Sequence, residues 1–346
     1  MKRIAQTRSF TSLIDSDCIY IDKTKEISSL LMHERVFISR PRRFGKSLLL
    51  DTIGTLFEYG TEPYFHGTWI YDKWKEKKYP VLRISFLRFS CTDYGNFCRD
   101  FDRCIAGFAR LHGIDYVSQD RPASSMSELF DLLEINKVKI VILIDEYDAQ
   151  LAANINNPEL YECFRTAIRE FYCVIKDELL IKFIGITGVT RLKDVSVFSV
   201  GSDIHDASYD ADVATITGFT GEEIRKYYAD YIDLAVSLEK GIAEENVTEE
   251  QRGELIDRLA ENYNGYCFDE TNKAKVFSTW SVSSFFFDLY RKRFVCFGEY
   301  WYENGGRPTI LLNYLKSHTF DISSYTGCIY ADSDDFLNPS SLLNMD

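Results

Sequence analysis

The sequence predicts an α/β fold in which a parallel sheet carries helices on both faces, followed by a smaller helical and α+β C-terminal region. Four short β-rich runs, Val36-Phe37-Ile38-Ser39, Val81-Leu82-Arg83-Ile84-Ser85-Phe86, Ile140-Val141-Ile142-Leu143-Ile144 and Lys182-Phe183-Ile184-Gly185-Ile186-Thr187, are almost continuously apolar. Strands buried on both faces read that way. The roughly 30 to 50 residues between the runs leave room for crossover helices, which parallel pairing requires. After Gly218 the strand runs give way to helix signals.

Taken in order, the run at 36–39 leads into Arg40-Pro41-Arg42-Arg43-Phe44-Gly45-Lys46-Ser47, and Leu48-Leu49-Leu50 then opens a helix. The runs at 81–86 and 140–144 follow, the latter ending in Asp145-Glu146. The run at 182–187 ends in Thr187-Gly188-Val189-Thr190-Arg191, and Val213-Ala214-Thr215-Ile216 is a candidate fifth strand. Thr220-Gly221-Glu222-Glu223 and Thr248-Glu249-Glu250-Gln251 fit the capping box, each ahead of an apolar-periodic stretch. From Tyr263 the chain is rich in aromatics, through Trp280, Phe285-Phe286-Phe287 and Tyr300-Trp301-Tyr302, which reads as the packing of a compact subdomain in preference to a base-stacking platform.

Composition narrows the class. A chain of 346 residues, 45% hydrophobic and 27% charged, has the make-up of a globular protein of about two domains. No apolar run approaches the ~20 residues of a membrane span, and the N-terminus lacks the apolar segment of an export signal, so a cytoplasmic location is expected. Nine cysteines without a C-x-x-C pair read as reduced thiols, and five scattered histidines without an H-E-x-x-H pattern give no expectation of a transition metal. The net charge of −13 argues against a nucleic-acid partner. That charge is uneven: residues 1–50 carry 10 Lys+Arg against 5 Asp+Glu, whereas residues 200–346 carry 12 against 26.

The positive segment surrounds the strongest motif. A strand, a glycine-containing loop ending in Gly45-Lys46-Ser47 and a helix start form the context in which backbone N–H groups converge on phosphate. Lys46 would reach the β- and γ-phosphates, and Ser47 would ligate Mg²⁺. The first glycine of G-x-x-x-x-G-K-[ST] is replaced by Arg40, so the loop must begin differently from the standard one. Arg42, Arg43, Phe44 and Leu48 complete the candidate nucleotide-binding set. Asp145-Glu146 at the end of a buried strand has the form of a Walker B strand, with Asp145 as a second Mg²⁺ ligand and Glu146 polarising the attacking water. Thr187 is a candidate sensor of the γ-phosphate, and Arg191 a candidate neutraliser of charge on the phosphoryl oxygens.

Together these residues resemble the AAA-ATPase-like family of bacterial proteins, P-loop ATPase domains often joined to a PD-(D/E)XK nuclease-like domain. The resemblance covers Tyr20-Ile21-Asp22-Lys23-Thr24, the 40–50 segment, Leu143-Ile144-Asp145-Glu146-Tyr147-Asp148, Thr187-Gly188-Val189-Thr190-Arg191, Gly218-Phe219-Thr220, Tyr263-Asn264-Gly265-Tyr266 and Tyr300-Trp301. It makes the missing glycine a family trait. It implies an AAA/ASCE-like P-loop NTPase fold, with an ATPase domain at 1–217, a helical lid-like subdomain at 218–270 and a small aromatic-rich, α+β or winged-helix-like region at 271–346. Two departures stand out. Asp194 and Ser202-Asp203 replace a basic residue and an Asn-Asn pair of the family, which puts a partner or sensor role of that loop in doubt. No D…(D/E)-x-K strand pair is evident after residue 271, so no nuclease activity is expected. The expected function is Mg²⁺-dependent ATP binding and hydrolysis, with nucleotide state moving the C-terminal part. The alternatives are a nucleotide-gated regulatory module with little hydrolysis, contacting a protein partner or a second copy of itself, and a truncated inactive relative of an ATPase-nuclease protein.

Overall fold

The computed structural model describes residues 1–176, 178–190, 204–271 and 273–300. In chain order the helices and strands are α1 (Phe10–Asp15), α2 (Thr24–Leu30), β1 (Arg35–Ser39), α3 (Lys46–Tyr59), β2 (Val81–Ser85), α4 (Tyr94–Leu111), α5 (Pro122–Ile135) and β3 (Ile140–Asp145). They continue with α6 (Ala149–Ala153), α7 (Pro158–Lys176), β4 (Ile181–Gly188), β5 (His205–Asp206), α8 (Gly221–Tyr227), α9 (Ala229–Lys240), α10 (Glu249–Tyr263), β6 (Tyr266–Cys267), β7 (Lys275–Val276) and α11 (Thr279–Lys292).

The period-two alternation of a strand sorts its side chains onto two faces. Ile142 and Ile144 of β3 enter one core with Phe101 of α4, Leu129 of α5 and Phe171 of α7, while Val141 and Leu143 enter a second core with Ile27 of α2 and Ile53 of α3. Helices therefore cover both faces, as the continuous apolar runs require. The five strands lie in the order β2-β3-β4-β1-β5, all parallel, and their carboxyl ends share one edge. In this order β4 lies between β1, which leads into the 40–47 loop, and β3, which ends in the acids.

One strand expectation is corrected. The segment around Val213 forms a short 3-10 helix, Ala211–Val213, and the fifth strand is His205–Asp206. Val213 and Ile216 are buried against α2 and α3 without joining the sheet, so their apolar character reflects packing rather than pairing.

Both capping boxes form: Thr220 with Glu223 at the start of α8, and Thr248 with Gln251 at the start of α10. The apolar stretch after the first box breaks at Tyr228 into α8 and α9. Helices α8 to α11 share a separate apolar core, to which Ile21 of the N-terminal segment contributes. Phe285 and Phe286 of α11 are fully buried there, so these aromatics pack. No disulfide joins the described cysteines, and no described helix is long and apolar enough to cross a membrane.

Candidate functional site

The loop after β1 is held by its own side chains. Gly45, at φ +85, takes the left-handed turn that starts α3, a conformation that glycine adopts without steric cost. Arg43 makes the other turn at φ +71. Arg40, in the place of the usual glycine, is 1% exposed. Its guanidinium donates to the carbonyls of Ser39 (2.8 Å) and Ser208 (2.6 Å) and to Thr217 Oγ1 (3.2 Å). It also stacks 4.1 Å above the Phe268 ring. Burial pulls its pKa down, to about 9. The sequence shows Arg40 as a defect in a motif, whereas the fold uses it to tie the loop to segments more than 160 residues away.

Lys46, buried at the first turn of α3, donates from Nζ to the carbonyls of Arg40 (2.9 Å) and Pro41 (3.0 Å). Burial lowers its pKa, and the carboxylates of Glu146, Asp148 and Asp145 oppose that shift. Ser47 Oγ donates to Asp145 Oδ2 at 2.6 Å, and Thr187 Oγ1 donates to Asp145 Oδ1 at 2.8 Å. Three elements thus converge on one carboxylate, because parallel β3 and β4 end at the edge where α3 begins. The Ser47 hydroxyl and Asp145 carboxylate are oxygen donors of the kind a hard cation such as Mg²⁺ takes, so the residues present fit that ion.

Glu146 follows at φ +50, outside the usual range for a residue with a side chain. Burial raises its carboxyl pKa, while the Lys46 ammonium pulls in the opposite direction. Tyr147 and Asp148, next in the chain, face away from solvent and organise the neighbouring strand end. Asp148 Oδ2 accepts from the N–H groups of Val189 (3.0 Å) and Thr190 (2.7 Å) and from the Thr190 hydroxyl. Tyr147 packs its ring where a Cβ on Gly188 would stand, only 2.5 Å away, and donates to the Thr190 carbonyl. The Asp-Glu-Tyr-Asp and Thr-Gly-Val-Thr segments are therefore one interlocked structure, which sequence spacing does not show. Arg191 itself, with the 192–203 segment, lies outside the described residues.

Residues 42–48 and Glu146 line a cavity of about 520 Å³. The N-terminal segment around Ile4 and Ile21, residues 216–219, and Thr279 and Trp280 of α11 line it as well. Asp145 and Thr187 do not line it, and are linked to it through the hydrogen bond from Ser47 to Asp145. Two further links tie together the segments around the cavity. Lys23 forms an ion pair with Glu223, the capping-box residue of α8, at 2.6 Å, and Thr279 donates to the Arg43 carbonyl at 2.8 Å while Arg43 stacks on Trp280. Phe44, fully buried, packs edge-on against Tyr266 and Phe268 beside β6. The structure thus brings together every described candidate, Arg42 through Leu48, Asp145, Glu146 and Thr187, at one sheet edge.

Comparison with known proteins agrees with this architecture. The chain is 31% identical over 306 residues, 86% of its length, to a protein of Azotobacter chroococcum mcd 1 described as "Uncharacterized protein in vnfD 5'region". It spans about half, 53%, of that relative. Residues 5–198 match the family model described as "Predicted AAA-ATPase", more than half of the chain, and the protein belongs to that family.

Proposed function

We propose that the protein binds MgATP in the cavity over the 40–47 loop and hydrolyses it. The observation that carries this reading is the Ser47–Asp145–Thr187 hydrogen-bonded chain beside the buried Lys46 ammonium. Lys46, now on the Arg40 and Pro41 carbonyls, would exchange those neutral acceptors for the anionic β- and γ-phosphate oxygens, which adds direct charge–charge attraction to the contact. Ser47 and Asp145 would hold Mg²⁺, which when bound neutralises charge developing on the phosphoryl oxygens. Glu146 would accept a hydrogen bond from the attacking water, and Thr187, through Asp145, would keep the site's geometry. Arg42 and Arg43 would add positive potential at the mouth, and Arg191 would neutralise phosphoryl charge. The apolar lining residues Ile4, Ile21 and Phe219 suit the faces of a purine ring, and the family favours adenine.

The separate core of α8 to α11 supports a division near residue 217 between an ATPase domain and a helical subdomain, and that subdomain takes in α11, past the expected boundary at 271. A second reading, in which bound ATP gates a contact with a protein partner and turns over slowly, draws on the Thr279–Arg43–Trp280 contacts linking the loop to α11. Nucleotide affinity, turnover and residence time for the wild type, Lys46→Ala and Glu146→Gln separate the two. Hydrolysis requires turnover that Glu146→Gln abolishes. If the wild type binds MgATP and Glu146→Gln alters neither turnover nor residence time, the gated module is the correct reading.

A further inference from the structure

His33 and His205 are far apart in the sequence and form no ligand pattern, but the fold stacks them. His33 lies in the turn between α2 and β1, and His205 opens β5, whose parallel pairing with β1 sets it opposite Val36. The two rings lie 3.9 Å apart between centroids and within 12° of parallel. Asp210 completes the group: Oδ2 stands 3.2 Å from His205 Nε2, and Oδ1 accepts the Asp212 N–H at 3.2 Å, which fixes the direction of the carboxylate. One donor atom from each of the three residues lies within 4.8 Å of the others, and among the described residues this is the one such group of His, Cys, Asp or Glu. They border a cavity of about 180 Å³.

We propose that His33, His205 and Asp210 bind a divalent transition-metal cation, of which Zn²⁺ is the type. Two imidazole nitrogens and one carboxylate oxygen suit borderline cations of this class, whereas Mg²⁺ prefers the oxygen-only donors near Ser47. Stacked imidazoles direct their in-plane lone pairs side by side, so binding requires the exposed His33 ring to turn out of the stack, and the same exposure leaves room for water as a further ligand. A cation here joins the two-residue edge strand β5 to the turn that precedes β1. Three residues beyond His205, Ser208 accepts the Ser39 N–H at 2.9 Å, and its carbonyl accepts from Arg40, so the cation braces the segment on which the 40–47 loop rests. The site lies toward the opposite end of β1 from that loop, and it is independent of the nucleotide reading.

The test is calorimetric titration of the full chain with Zn²⁺ alone, for the wild type, His33→Ala, His205→Ala and the double variant. Saturable binding that weakens at least about tenfold in each single variant is expected. His33→Ala removes an exposed turn residue, so an unchanged thermal unfolding profile without metal, together with unchanged ATP affinity, is also expected. Exposed Cys163, Cys173 and Cys296 are competing ligands, so Co²⁺ serves as a second probe. The site predicts visible d–d absorption without a thiolate charge-transfer band, lost in His33→Ala. Absence of saturable Zn²⁺ binding, equal affinity in the wild type and the double variant, or a Co²⁺ spectrum dominated by thiolate bands overturns the proposal.

Discussion

At Glu146 two demands conflict. A carboxyl that burial pushes toward the neutral form, on a backbone at φ +50, costs stability, yet its place beside Lys46 is where an attacking water would be polarised. The sign follows: a raised folded pKa favours the protonated form, so the cost is absent at low pH and appears as pH rises through the folded value. Glu146→Gln is therefore expected to stabilise the fold at neutral pH by about 0.5–2 kcal/mol in chemical denaturation, while ATP turnover falls by about 10²–10⁴-fold. Wild-type turnover should decline on acidification with a midpoint above the ~4.3 of an ordinary glutamate, read from a pH–rate profile. Arg40 is the structural counterpart. Arg40→Ala would leave the Ser39 and Ser208 carbonyls without this donor and Phe268 without its cation, and a loss of about 2–5 kcal/mol is expected in the same denaturation assay.

Among the elements, β1 to β4 are legible in the sequence because strands covered on both faces must be apolar at nearly every position. β5 is not: two polar residues, His205 and Asp206, are placed by pairing with β1 across the chain, while the more strand-like text at 213–216 is spent on packing. The same distinction runs through the site. Lys46, Ser47, Asp145, Glu146 and Thr187 stand out in the sequence as candidates because each falls at a strand or helix end, and the fold does place them there. The anchoring by Arg40, Asp148 and the Lys23–Glu223 pair does not stand out, since each depends on a partner brought close only by the fold. The interlock between the end of β3 and the end of β4 has a direct test. Gly188→Ala sets a methyl group against the Tyr147 ring and should cost about 1–3 kcal/mol, with turnover reduced because the Asp148 contacts to residues 189 and 190 shift. Unchanged stability and turnover in Gly188→Ala would remove the interlock from the account.

Over the whole molecule, the cavity belongs to no single part. The 42–48 loop and Glu146 at the sheet edge, the N-terminal segment from Ile4 to Lys23, residues 216–219, and Thr279, Trp280 and Ser283 of α11 all line it. Phe44 and Arg43, inside the loop that would hold phosphate, touch β6 and α11 directly, so a change in loop conformation must be felt there. Hydrogen exchange should consequently slow at residues 266–283 on addition of MgATP, and Trp280→Ala should diminish that slowing more than it diminishes ATP affinity. The central claim, that the 40–47 loop and the β3 acids form one ATP site, is tested most directly by equilibrium binding of MgATP to the wild type and to Lys46→Ala. The account predicts saturable wild-type binding that weakens about 10- to 100-fold in Lys46→Ala. Equal, weak binding in the two proteins would contradict it.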